Sequence, residues 1–163
     1  MQHFNNPYLS EGYKKAREGM SMIRPIEIPE GQVLYRFYDS NRARTPKEGA
    51  DGAWWVEYEH FQTIKHFALQ HGYTFSYAAR LFAAILYEWS EVNAWVSCEV
   101  VKPLHAWKGR GKRVQSTGKD SRDTPIMTPT QSLLEIYQVV LPGVGGKASI
   151  ASSVLRVMAQ EAL

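Results

Sequence analysis

The hydrophobic period of the chain changes abruptly near its middle, and no other feature constrains the fold as much. In FSYAARLFAAILYEW, residues 75–89, Phe75, Ala78, Ala79, Phe82, Ile85, Leu86 and Trp89 recur at the three- and four-residue spacing of a helix. In VNAWVSCEVV, residues 92–101, Val92, Ala94, Val96, Cys98 and Val100 share one face, and Asn93, Trp95, Ser97 and Glu99 share the other. That alternation is the mark of a strand. The spacing therefore predicts a helix over 75–89, capped by Thr74 or Ser76, and a half-buried strand directly after it.

The rest of the chain divides by the same periods and breakers. VLYRFY in QVLYRFYDS (32–40) and AWWVEY (53–58) predict two strands, separated by the breaker-rich DSNRARTPKEGADG. EHFQTIKHFALQHG predicts a helix with Phe61, Ile64, Phe67 and Ala68 inward and Gly72 as its stop. LHAWK predicts a short strand after Pro103, and QSLLEIYQVVL a last strand. Between them, 109–130 is a long polar loop, a length that marks function or disorder. KASIASSVLRVMAQEAL predicts a C-terminal amphipathic helix with Ile150, Val154, Val157 and Met158 inward. Residues 1–31 are rich in Pro and Gly, with room for one short helix capped by Ser10.

Strands flank a helix pair with no βαβ rhythm. The expectation is an α+β fold: a mixed, mostly antiparallel split sheet with a central helix pair and a C-terminal helix. The 163 residues suit a single domain. It would comprise an N-terminal extension (1–31), a core (32–141) and a C-terminal helix (147–163).

Several chemistries are disfavoured. His3, His60, His66, His71 and His105 include no HxxxH pair, and Cys98 is alone, so neither a metal site nor a disulfide is expected. No Walker A loop, GxGxxG turn or nucleophile elbow occurs. No stretch reaches the roughly 18 apolar residues of a membrane span, and there is no signal-peptide core. A cytoplasmic site of action is the expectation.

Two features invite function. The first is Arg36, a permanent cation inside an apolar strand. It is either an edge charge paired with a surface acid or a clamp for an anionic ligand. The second is local basicity. The formal net charge is only +3, yet Lys102, Lys108, Arg110, Lys112, Arg113 and Lys119 precede any acid until Asp120. Such a run is either a solvated loop or a patch for a phosphate or nucleic acid.

The arginine of "LYR" (34–36), the Gly52-Ala53-Trp54 entry to a strand and helix, and the late strand PTQSLLEIYQ together resemble the ADP-ribosyltransferase fold. That group includes bacterial toxins, effectors and NAD glycohydrolases. The resemblance spans about residues 32–141. Two departures stand out: Trp54-Trp55-Val56 where many members carry Ser-Thr-Ser, and no Glu-x-Glu pair. Tyr58 or Tyr73 could serve as the tyrosine variant of the former.

The resemblance implies that NAD is the substrate and no metal is needed. Arg36 would be the clamp. Trp54, Trp55, Tyr58 and Phe61 would be the walls, and Glu135 the carboxylate, with Gln131 and then Glu99 as alternatives. Arg110, Lys112 and Arg113 would face a nucleic-acid or protein acceptor. A neutralising antitoxin or immunity protein is an implied partner. Two rival readings dispense with catalysis. One is a nucleic-acid-binding protein that stacks a base on Trp107 and contacts phosphates through the basic 102–119 segment. The other is an interaction module with an aromatic groove.

Overall fold

A computed structural model describes residues 3–129 and 136–163. Its main sheet has seven strands: β1 (Met20–Ile28), β2 (Val33–Tyr38), β3 (Trp54–Glu57), β4 (Ala94–Val100), β5 (Leu104–Gly111), β8 (Tyr137–Val140) and β9 (Leu155–Ala162). Their order is β1-β5-β8-β3-β2-β4-β9, and every pairing is antiparallel. A separate ribbon joins β6 (Val114–Gln115) to β7 (Ile126–Met127). The helices are α1 (Leu9–Gly19), α2 (Pro46–Gly49), α3 (Tyr58–His71), α4 (Phe75–Ala83) and α5 (Ala151–Val154). The α+β class and the antiparallel sheet are as expected. Among the described residues, no helix is long and apolar enough to cross a membrane.

The period-two stretch 92–101 folds as read. Val92, Ala94, Val96, Cys98 and Val100 are all buried. The main core lies on that face of the sheet and also takes in Leu34, Trp55, Leu104, Val139 and Val154. A second cluster, with Ile64, Ala68, Ala78, Ala79 and Phe82, packs α3 against α4. Gly72 ends α3 with φ 68°, and the Thr74 hydroxyl caps α4 by accepting from the Tyr77 amide at 3.0 Å.

Five local expectations are corrected. The helix predicted over 75–89 stops at Ala83, where Ala84 turns left-handed (φ 52°). The buried Arg80 guanidinium donates to the carbonyls of Ile85 (2.9 Å) and Ser90 (3.0 Å), winding residues 84–90 around itself. Leu86 is still buried, so the apolar spacing survives without the helix.

The predicted C-terminal helix (147–163) is helical only in α5. Residues 155–162 form β9, which pairs along the whole of β4. A helix there would have left the β4 edge unpaired, and ladder hydrogen bonds outweigh a short amphipathic stripe. Val157 and Met158 are accordingly exposed.

The N-terminal extension (1–31) contains α1 and β1, a full member of the sheet. Its Pro25 is tolerated because β1 is an edge strand. Ser10 lies inside α1, whose N-cap is Tyr8, so it is no cap. The loop 109–130 is also shorter than predicted: β5 runs to Gly111, and the β6–β7 ribbon occupies part of the remainder.

Candidate functional site

The sheet splits at its centre. β2 and β3 pair only at Leu34–Glu57 and Tyr35–Val56. Beyond that point β2 continues against β4, and β3 turns its Trp54 and Trp55 to β8. The two half-sheets diverge, and a cleft of about 750 Å³ opens between them. Strand divergence leaves backbone groups without ladder partners, and these must be satisfied by other means.

Arg36 supplies part of the remedy. It follows Tyr35, the last β2 residue paired with β3. Its Nε donates to the Gly49 carbonyl at 3.0 Å and its Nη1 to the Trp54 carbonyl at 3.3 Å. The guanidinium thus stitches β2 to β3 across the gap. Among the described residues it has no acid within ion-pair distance. Burial pulls its pKa down from 12.5 to about 10, and the more distant Asp51 only partly opposes this. The surface-acid reading of Arg36 is therefore set aside: this is a guanidinium at the base of a cleft.

Around it, Tyr35, Phe37 and Tyr38 of β2, Trp54 of β3 and Trp89 line the cleft. Its acids are Glu18, Asp39, Glu48 and Asp51, and Gln138 of β8 reaches it from the far side. The loop after β2 is shaped to form one wall. Thr45 caps α2 through the Glu48 amide at 3.1 Å, and the Asp39 carboxylate accepts from the amides of Asn41 (2.9 Å) and Glu91 (3.0 Å).

The predicted walls divide. Trp54 is half-buried and borders the cleft. Trp55 also borders it but is a core residue, 1% exposed, with Nε1 donating to Gly52 O at 2.7 Å. Tyr58 and Phe61 are not walls. Tyr58 is exposed on α3, and Phe61 is buried, stacked on Tyr35 at 4.1 Å and edge-on to Phe75 and Trp95. Tyr73 lies away from the cleft beside His71 and Tyr77. Tyr35, Phe37, Tyr38 and Trp89 take the wall positions instead. The apolar stretch QVLYRFYDS carried the signal for the first three; nothing local marked Trp89.

Of the candidate carboxylates, Glu99 is excluded: it pairs with Arg156 of β9 at 3.0 Å and does not border the cleft. Gln131 and Glu135 lie outside the described residues. The chain that follows them enters β8, whose Gln138 lines the cleft.

The basic run does not form one stripe. Lys108 is buried and ion-paired to Glu57 at 2.5 Å. Trp107 points to the opposite face of β5, donates to the Leu9 carbonyl at 3.1 Å and packs on Tyr13. Lys102 covers Phe4, and Lys112 Nζ binds the Arg17 carbonyl near the end of α1 at 2.5 Å. Arg110 sits in β5 opposite Tyr137, and Arg113 is exposed. Trp107 serves to anchor α1, not to stack a base.

The loop beyond β5 reaches the cleft through Val114 and is clasped to residues 84–91. The Asp123 carboxylate accepts from the amides of Tyr87 (2.7 Å) and Glu88 (3.0 Å), and Thr117 bonds Glu88. Arg122 grips Glu91 at 2.5 and 3.0 Å and Asp120 at 2.8 Å. The Tyr87 ring lies between Arg80 and Arg122, 3.6 and 4.3 Å from their guanidinium carbons. Hydrogen bonds from Arg122 hold the Asp120 carboxyl at about 2 and lower that of Glu91 as well.

No family model matches the chain, and no curated protein matches it in sequence. Two solved structures are similar in shape. One is Rhs1-CT in complex with its cognate immunity protein RhsI1, with TM-score 0.49 and 11% identity over 90% of this chain and 83% of that one. The other is Tne2 in complex with Tni2, with TM-score 0.49 and 12% identity over 87% of this chain and 92% of that one. At this level of similarity, the assignment of function rests on the cleft itself.

Proposed function

We propose that the chain is an NAD-consuming enzyme, an ADP-ribosyltransferase or NAD glycohydrolase, with its site in the cleft between β2 and β3. One observation carries this reading: the Arg36 guanidinium, drawn into the cleft floor without an acidic partner among the described residues. A charge so placed is costly unless a ligand completes it, and a forked guanidinium matches a pyrophosphate or phosphate. Trp54, Phe37 and Trp89 offer flat apolar surface for a base or the nicotinamide ring.

The chemistry is cleavage of the nicotinamide–ribose bond. The bond's electron pair leaves with nicotinamide, and the ribose passes through an oxocarbenium-like state. A carboxylate stabilises that charge while water or an acceptor adds to the anomeric carbon. Glu135 is the proposed carboxylate, with Gln131, four residues before it, as the alternative site residue. The loop clasped by Arg122 and Asp123 would border the acceptor. A toxic effector role in the cytoplasm, with a neutralising antitoxin or immunity protein, belongs to the same proposal.

The test is incubation of purified protein with NAD and quantification of free nicotinamide. Release is expected from wild type. It should fall at least about 100-fold in Arg36→Ala and Glu135→Gln while both variants keep the circular dichroism of the folded wild type. Arg36→Ala, which strips the Gly49 and Trp54 carbonyls of their donor, should also lower the thermal midpoint. Wild-type turnover in both variants, or no NAD consumption by wild type, would overturn the assignment. NAD labelled in the ADP-ribose moiety, supplied with RNA, DNA or lysate protein, distinguishes transfer from hydrolysis.

A further inference from the structure

We propose that His3, Glu27 and His105 form a binding site for one zinc-class divalent ion, which fastens the N-terminal segment to the sheet edge. Glu27 of β1 and His105 of β5 are direct cross-strand partners, so their side chains leave the sheet on the same face. The third ligand arrives through Asn5, a buried side chain. Its Nδ2 donates to the carbonyls of His105 (2.7 Å) and Pro142 (3.1 Å), and its Oδ1 accepts from the His105 amide at 3.0 Å. This anchors the N-terminal segment on β5 and brings the His3 ring to 4.1 Å from the His105 ring.

The separations suit a metal. His3 Nε2 lies 3.1 Å from Glu27 Oε1, and His105 Nε2 lies 3.5 Å from the same oxygen. Tetrahedral zinc with bonds near 2.0–2.1 Å holds neighbouring ligand atoms about 3.3–3.4 Å apart. All three donor atoms fall within 4.8 Å of one another.

The hydrogen bonding agrees. His105 Nδ1 lies 2.7 Å from Asn6 Oδ1, an acceptor, so Nδ1 carries the proton. With Nδ1 engaged by Asn6, Nε2 is the nitrogen that faces the Glu27 carboxylate, where a cation between them would be bound by both. Orientation of a ligating imidazole through its other nitrogen is the usual outer-shell device. Glu27 is 68% exposed in its side chain, so water can reach the site and complete the coordination. Two imidazoles and one carboxylate favour zinc, cobalt, nickel or copper over magnesium or calcium. None of the three residues borders the cleft, so this site stands apart from the proposed enzyme chemistry.

The experiment is calorimetric titration of tag-free protein with Zn²⁺, alongside thermal midpoints with Zn²⁺ and with EDTA. The expected result is one ion per chain, a midpoint raised by Zn²⁺, and visible absorption of four-coordinate Co²⁺ on substitution. His3→Ala, His105→Ala and the near-isosteric Glu27→Gln should each weaken binding at least about tenfold and remove the Co²⁺ band. Asn6→Ala should weaken it by about tenfold through loss of orientation. His66→Gln, at an exposed histidine on α3, should change nothing. Failure of wild type to bind Zn²⁺ would overturn the proposal. So would equal binding of Mg²⁺, or unchanged affinity in both Glu27→Gln and His3→Ala.

Discussion

The Arg36 guanidinium lies directly against the backbone of Gly52, in the space that any side chain at residue 52 would need. A Cβ built there would stand closer than 3.0 Å to the Nε, Cζ and Nη2 atoms of Arg36. The glycine before the two tryptophans is therefore what lets the arginine cross from β2 to the Trp54 carbonyl.

Gly52→Ala should consequently displace Arg36 without touching the charge itself. The expected outcome is loss of NAD turnover comparable to Arg36→Ala, with destabilisation of about 1–3 kcal/mol from overpacking. Parallel measurement of nicotinamide release and urea midpoints checks this. Gly31→Ala is the contrast: nothing lies within 4 Å of its Cβ position, so only its positive φ (93°) is strained and turnover should persist.

Inorganic pyrophosphate should stabilise the wild-type protein through Arg36. At a concentration about 100 times its Kd, the gain should be about 2.7 kcal/mol, and Arg36→Ala should remove it. The pH dependence has a definite sign. The folded value, about 10, lies below the ordinary 12.5 because burial disfavours the charged form. The burial cost is thus present at neutral pH and is relieved as pH rises through about 10. Thermal scans of the ligand-free protein across that range test it.

Arg122→Ala and Asp123→Ala should release the loop after β5 from residues 84–91 and expose it to trypsin and other proteases. The Asp120 carboxyl is held at about 2, below its ordinary 3.8, mainly by its side-chain hydrogen bond to Arg122. A carboxyl with a depressed folded value stabilises above its unfolded pKa and loses that effect as pH falls through the folded one. The Asp120–Arg122 contribution to the loop's protection should therefore be full above about pH 4 and fade as pH falls toward about 2. Hydrogen exchange of residues 117–123 reads this directly.

Cys98 should resist alkylation by iodoacetamide in the folded protein at pH 8 and react on unfolding. Burial raises its thiol from the ordinary 9.0 to about 12, so almost no thiolate is present. A raised folded value stabilises fully below the unfolded pKa. The contribution should decline between pH 9 and 12, and Cys98→Ala should flatten that decline.

Much of this was legible in the chain itself. The alternation from Val92 to Val100 committed a strand with one buried face, because a two-residue period leaves each side chain one choice. The stripe from Phe61 to Ala68 with Gly72 after it, and Thr74 ahead of Phe75, marked two helices by local chemistry. The end of the second was not legible, because the apolar spacing runs on to Leu86 while Arg80 draws the chain out of the helix after Ala83. Arg36 was conspicuous for the same reason: a side chain charged at neutral pH among apolar residues requires a partner.

The identity of that partner was a tertiary matter. Where β2 parts from β3 depends on which strands pair, so the role of Arg36 as a stitch to Trp54 and the choice of Tyr35, Phe37 and Trp89 over Tyr58 and Phe61 as walls could not be read from spacing. The fate of 155–162 was settled by the unpaired edge of β4, an energy that exists only once the sheet is formed. His3, Glu27 and His105 meet for the same reason. Their separations in the chain carry no motif, and the register of β1 on β5, with Asn5 as the clip, brings their donor atoms together.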